Sequence, residues 1–386
     1  MKVVHLCLAS FFPDNFSYQE NLLPKYHKAL GYEVEVIASL ESFNKEGKSI
    51  ILEPCNPYLN EYGIKVTRLE YRYNNRVGRK LKLFKGTYDA IKNAKPDILF
   101  IHGLQFWDMH EVVRYLKEHQ NVSVFVDNHA DFSNSATNWL SLNILHKILW
   151  KHCAHLINDY AKKFFGVLPA RVDFLENVYD LPEEKCELLV MGADDEFVEK
   201  ADESNARMAI RKKYNIKDED FVIVTGGKID LFKKQTLLLM KAVQQIDNKK
   251  IKLLVFGSVA PELKEQLQSL IDGSKVQYIG WIKPEESYLY FAAADIAVFP
   301  GRHSVFWEQA SGQGIPLIVK DWAGTHHVDV GGNVIFLKED SVNTIKDNIE
   351  ILLANPDKYK DMKKIAVDKA KKVFSYKDIA KRSLLS

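Results

Sequence analysis

Two stretches of this 386-residue chain hold residues whose types and spacing suit the grip of a charged ligand. The first is Gly226-Gly227-Lys228-Ile229-Asp230-Leu231-Phe232-Lys233-Lys234, which follows the apolar run at residues 221–225 and leads into a helix ending near residue 246. Lys233 and Lys234 stand at the start of that helix, where the helix dipole disfavours cations. An anion between the ammonium groups and the helix tip removes the conflict, and Lys228 lies in the same loop. The second stretch is Phe299-Pro300-Gly301-Arg302-His303-Ser304-Val305-Phe306-Trp307-Glu308, continuing to Pro316. It reads as strand, glycine turn, helix over about residues 304–311 and strand, the helix stopped by Gly312 and Gly314. Free N–H groups at a helix start attract phosphate. Glu308, one turn in, is placed to accept hydrogen bonds from a ribose diol, or simply to complement the helix dipole; the residues alone leave both readings open.

The elements that must position these residues follow an α/β alternation. Glycine recurs directly after four successive strands, at Gly226, Gly257, Gly280 and Gly301, each permitting close approach of a ligand or another backbone. Four such positions at one sheet edge predict a continuous cleft. The chain opens with strand, helix and strand over residues 3–37, a Rossmann-like start that lacks G-x-G-x-x-G and so is no ordinary dinucleotide site. Two later strands each end at a histidine, His102 and His129. Looser, polar sequence at 181–207 predicts a domain boundary near residue 200, so that 1–200 and 201–372 form two α/β domains and 373–386 a closing helix. The acids at 194–196 are expected to be solvated, with too few oxygens for a hard cation.

Net charge is +2, which argues against nucleic acid as a partner. Four dispersed cysteines form no C-x-x-C pair, as expected of a reducing compartment without structural zinc. The apolar stretch at the N-terminus is too short for a signal peptide, and no run is long enough to span a bilayer. A cytoplasmic protein is expected. Residues 72–85 carry six cations and no acid, interleaved with Leu81, Leu83 and Phe84. The usual meaning of such a run is a solvated face, and that reading stands ahead of an anionic membrane surface or a phosphorylated acceptor. Residues 142–151 read as an amphipathic helix packed on the core.

Taken together, Gly226-Gly227-Lys228…Lys234, Gly280-Trp281, residues 294–300 and Glu308 to Pro316 resemble the GT-B glycosyltransferases, in particular family 4 of the retaining, nucleotide-sugar-dependent enzymes. The resemblance implies two Rossmann-like domains facing across a cleft, the N-terminal one for acceptor and the C-terminal one for a UDP- or GDP-linked sugar, with no other cofactor and no metal. It implies diphosphate contacts for Lys228 and Lys234, ribose contact for Glu308, and base contact for Trp281 and Ile282. Gly227, Gly257, Arg302, His303, Ser304 and Val305 would complete the donor side. His129 would lie near the transferred sugar, and Ser17 and Tyr18 in an N-domain loop closing over the phosphates. Transfer to a glycan or lipid-linked acceptor is expected, in assembly of a bacterial-type surface polysaccharide or glycolipid, at the inner face of the membrane. One departure stands out: the first of the family's two glutamates is replaced by Pro300. A non-catalytic GT-B subunit and a nucleotide-sugar epimerase are the competing readings.

Overall fold

The computed structural model describes residues 1–44 and 48–385. The chain divides into two compact units, the first comprising Met1–Val190 together with the chain from Ile379 onward, the second Met191–Asp378. The polar stretch near residue 200 is folded, not a linker: it closes helix Asp195–Glu203 and opens helix Ala206–Lys213. Its polarity is that of helix ends. Asp194, expected to be solvated, is buried and caps the first of these helices, accepting from the Glu196 N–H at 3.2 Å.

The strands of the first unit are β1 (Lys2–Cys7), β2 (Glu33–Ser39), β3 (Glu41–Phe43), β4 (Ser49–Ile51), β5 (Tyr58–Leu59), β6 (Lys65–Leu69), β7 (Ile98–His102), β8 (Ser123–Asn128), β9 (Ala161–Gly166) and β10 (Cys186–Leu188). Eight of them form one sheet in the order β10-β9-β8-β7-β1-β2-β6-β5, parallel except for the β5–β6 edge, and β3 and β4 form a separate hairpin. The central strands bury both faces, which is why they read as continuous apolar runs rather than alternating ones.

The second unit holds β11 (Phe221–Gly226), β12 (Ile251–Phe256), β13 (Val276–Gly280), β14 (Ile296–Phe299), β15 (Leu317–Lys320) and β16 (Val334–Leu337). They form one all-parallel sheet ordered β13-β12-β11-β14-β15-β16. Succession runs outward from β11 to β13, then returns to β14 on the other side of β11. The order reverses there, and in open parallel sheets the crevice outside the carboxyl ends of such strands is the ligand site. The loops after β11 and β14 are the two stretches singled out by chemistry.

Helix Ser141–Trp150, wound as a π-helix, is only partly the core element expected of it. Leu142, Leu145 and Leu149 pack on the core, whereas Trp139, Leu140, Ile144 and Ile148 are exposed. No helix among the described residues is long and apolar enough to cross a membrane.

Two histidines of the first unit, His5 and His27, are wholly buried. Burial is the first cause holding His5 well below the ordinary value, and it lowers His27 to about 3. Their unfolded counterparts take up protons near pH 6.5. The stability they contribute is therefore complete above about pH 6.5 and is lost as pH falls toward about 3, the His27 value, at about 1.4 kcal/mol per pH unit for each histidine. Urea unfolding between pH 7 and pH 5 should show this slope, and His27→Gln should remove its own share. An unfolding free energy flat over that interval would contradict the assignment.

Candidate functional site

The carboxyl ends of β11 and β12 meet so closely that side chains are excluded. A Cβ on Gly257 would stand 1.9 Å from the Gly227 carbonyl oxygen, and one on Gly226 about 2.0 Å from the Phe256 ring. Gly227 and Gly257 also adopt φ of +119° and +127°. The backbone thus comes to the surface bare, and a cavity of about 160 Å³ opens beside it. Gly227, Lys228, Gly257, Trp281 and Ile282 line this cavity together with Phe306. Five residues selected from sequence are brought to one place. Trp281 is exposed at its mouth.

The loop after β14 packs on the start of helix Gln235–Gln245. A methyl on Gly301 would lie 3.7 Å from the Lys233 Cα. The next residue, Arg302, sets its guanidinium 5.2 Å from the centre of the Phe232 ring. Lys233 is half-buried, and burial lowers its pKa from the usual lysine value; Asp230 opposes that shift, while Arg302 and Lys228 add to it. Lys228, Lys233 and Arg302 are therefore one cationic group. Lys228 is largely exposed, 3.5 Å from Asp230. Lys234, chosen from the sequence, lies exposed at the N-cap position of the helix, and the more enclosed ammonium belongs to its neighbour Lys233. The signal that separates adjacent lysines is the side on which the loop after β14 packs, which sequence does not carry.

The helix expected over residues 304–311 begins later, at Phe306, and runs to Gly312. Ser304 and Val305 precede it, Val305 as N-cap. With only seven helical residues, the dipole at its start is weak. Glu308 is not a surface complement to that dipole: it is fully buried, and its Oε1 accepts from His303 Nε2 at 2.6 Å and from His327 Nε2 at 2.8 Å. Burial opposes its charge, but the two imidazoles outweigh burial and hold the carboxyl well below the usual range. Oε2 has no hydrogen-bond partner. One oxygen fixes the carboxylate and the other remains an unused acceptor.

Sequence reading does not find His327, which comes from the short turn His326–Val328 after β15. The adjacent pair His326-His327 was its only trace. The His303, Glu308 and His327 donors lie within 4.8 Å of one another, a set of the kind that holds zinc. Here Oε1 accepts both N–H groups, while Glu308 Oε2 and His327 Nδ1 stay buried without a partner.

The remaining selected residues belong to the first unit. His129 follows β8 with its Nε2 3.5 Å from Asp127 Oδ2. Its pKa is raised: burial works against this, and the charges of Asp127 and Glu20 prevail. Tyr18 is the N-cap of helix Gln19–Ala29, just after Ser17, and its ring lies 5.4 Å from that of Phe16. A cavity of about 1190 Å³ lies between helix Arg76–Leu81 and helix Ser141–Trp150. The basic stretch divides there. Arg72, Lys82 and Lys85 pair with Asp108, Glu41 and Glu70; Arg76, Arg79 and Lys80 face the cavity, as do Lys82 and its partner Glu41.

Residues 206–369 match the family model described as glycosyl transferases group 1. No curated protein matches the chain. Among solved structures, a glycosyltransferase from Rickettsia africae is similar over 99% of this chain and 96% of that one, with 15% identity and a TM-score of 0.66. Anabaena HepE in complex with UDP is similar over 99% and 98%, with 15% identity and a TM-score of 0.66. A UDP-GlcNAc 2-epimerase from Neisseria meningitidis bound to UDP-GlcNAc covers the same shares at 14% identity and a TM-score of 0.60. At these identities the likeness is one of fold, and that fold is GT-B.

The Glu308 cluster yields a test of its own. His327→Ala removes one of two N–H donors from a carboxylate without solvent, and should cost about 1–3 kcal/mol of unfolding free energy. Glu308→Gln in the same background removes the charge that needs the donor, so the double variant should be less destabilised than the two single losses summed. Additive losses in urea unfolding would show that His327 does not support Glu308.

Proposed function

We propose that this protein is a glycosyltransferase that moves a sugar from a nucleoside-diphosphate donor to an acceptor hydroxyl, with retention at the anomeric carbon. The observation that carries the reading is the convergence, at the β11/β14 reversal, of a bare-backbone cavity and one cationic group. The base would lie in the cavity against Trp281, Ile282 and Phe306, and the ribose would use the free oxygen of Glu308. Lys228, Lys233 and Arg302 would hold the diphosphate, with Lys234 and the backbone of His303 to Val305 at its rim. As the sugar becomes oxocarbenium-like, negative charge gathers on the departing diphosphate. Fixed cations aimed at that charge lower the barrier, and loss of one such donor typically costs about 100- to 1000-fold in rate. These side chains supply the positive charge themselves, so the reaction is proposed to be metal-independent. Pro300 leaves the sugar to neighbours of a different kind, among which Arg302 and His303 are the nearest in sequence.

The acceptor is proposed to bind the first unit, near His129, under the loop of Ser17 and Tyr18. The cavity faced by Arg76, Arg79 and Lys80 favours a lipid phosphate-linked or otherwise anionic acceptor. Beside it, Trp139, Leu140, Ile144 and Ile148 present exposed apolar surface next to Lys147, the composition of a helix that lies in an anionic membrane interface. Surface polysaccharide or glycolipid assembly at the inner face of the cell membrane follows from that reading.

Lys228→Ala and Lys233→Ala should each lower transfer by about 100- to 1000-fold, with the fold retained and with EDTA without effect on the parent protein. A thermal-shift screen of UDP, GDP and their sugars should give selective stabilisation. Wild-type rates in both variants would remove the assignment, and sugar-nucleotide isomerisation without acceptor would favour the epimerase reading. For the membrane contact, Ile144→Glu with Ile148→Glu should abolish sedimentation with phosphatidylglycerol vesicles and leave nucleotide binding unchanged. A parent protein that ignores those vesicles would rule the contact out.

A further inference from the structure

Within the first unit, five buried polar side chains from five separate parts of the chain join end to end. His102 Nδ1 lies 2.7 Å from Asp127 Oδ2. His102 Nε2 lies 2.9 Å from His5 Nδ1, and His5 Nε2 lies 2.9 Å from His27 Nδ1. His27 Nε2 ends the run between Ser383 Oγ at 2.9 Å and the Ala380 carbonyl at 3.1 Å. All five side chains are buried, and Ser383 belongs to the C-terminal segment that returns to this unit.

A neutral imidazole has one N–H and one lone pair, so each bond in the run dictates the next. Asp127 is ionised: burial opposes its charge, but His102 and His129 hold it well below the carboxylate range. It also accepts from Gln19 and from the Gly103 N–H. A carboxylate requires a donor at His102 Nδ1. His102 Nε2 is then an acceptor, so His5 must donate from Nδ1. His5 Nε2 becomes an acceptor in turn, and His27 must donate from Nδ1. His27 Nε2 is left as an acceptor, which the Ala380 carbonyl cannot satisfy; the Ser383 hydroxyl, 2.9 Å from both His27 Nε2 and that carbonyl, satisfies it by turning its one proton to the imidazole. The opposite order needs N–H groups on both nitrogens of His102, a second buried charge beside that of Asp127, whereas the stated order needs one N–H on each ring.

We propose that Ser383, His27, His5, His102 and Asp127 form a single proton-ordered chain, every donor pointing toward Asp127, that positions the Asp127–His129 pair and ties it to the C-terminal segment. Asp127 touches His129 on the other side, so the orientation of a serine hydroxyl in the last residues is set by a carboxylate four hydrogen bonds away. His5, His27 and His102 are positioning residues, none of them in contact with substrate. The significance for catalysis rests on the reading of His129 as a sugar-side group; the chain itself does not, and its test uses neither donor nor acceptor.

The test is ¹⁵N NMR of the imidazoles in the full-length protein at pH 7.5. Free histidine favours the Nε2–H tautomer, whereas all three chain histidines should show Nδ1–H with an unprotonated Nε2. An Nε2–H signal at His5 or His27 reverses the order and overturns the proposal. A second measurement addresses the far side of Asp127. In Asp127→Asn the His129 titration should move down by about one pH unit, because the neighbouring charge is gone. A His129 titration unchanged in that variant would overturn the positioning role even with the tautomers as stated. Inactivity of the protein with every donor tried would sink the transferase reading and leave both results standing.

Discussion

A parallel sheet covered on both faces has nowhere to keep polar chemistry except at its strand ends. The sheet of the second unit obeys that constraint, whereas the first also buries His5 inside β1, with both ring nitrogens paired. The strands are filled with Val, Ile, Leu and Phe, and the functional side chains wait until the strand has stopped. In the second unit the constraint does more than exclude. Because succession reverses between β11 and β14, the loops that follow these two strands must diverge over opposite faces, and the space between their starts is the one place where bare backbone can meet a ligand. Gly226 and Gly257 are consequences of crowding between the ends of β11 and β12, where any Cβ would overlap a neighbour, and Gly227 of its positive φ.

Once the strand ends are fixed, charge has to be accommodated close to a dry core. The second unit solves this in two opposite ways. Its cations, Lys228, Lys233 and Arg302, are left mutually repelling and only partly paired, by Asp230, a condition that a polyanion relieves. Its buried anion, Glu308, is by contrast saturated on one oxygen by two imidazoles.

How much of this is legible in the sequence depends on sequence distance. Strands, their glycine ends and the loops that follow are local, and residues such as Gly227, Lys228, Gly257 and Trp281 could be grouped because each follows a recognisable apolar run. What depends on packing between distant segments could not. His327 meets Glu308 across 19 residues, and His5 meets His102 across 97. Lys233 and Lys234 differ only in which way the helix start is turned. The helix expected over about residues 304–311 starts two residues later, because the backbone places Val305 as its N-cap. The polar run near residue 200 lies just past the division of the two units at Val190/Met191, and its polarity is that of helix ends, a composition that linkers share.

The first unit meets the same requirement with neutral groups. A row of buried lysines or arginines behind Asp127 would each need a counter-charge in a medium that penalises both partners. Imidazoles avoid this, because a neutral ring donates on one side and accepts on the other, and can repeat without accumulating charge. Three in succession reach from a strand end to the returning C-terminal segment with a single net charge, on Asp127. That charge lies at the one end of the row that has a partly exposed neighbour, His129. The arrangement confines the buried charge to Asp127 and leaves the partly exposed His129 to respond to what binds beside it.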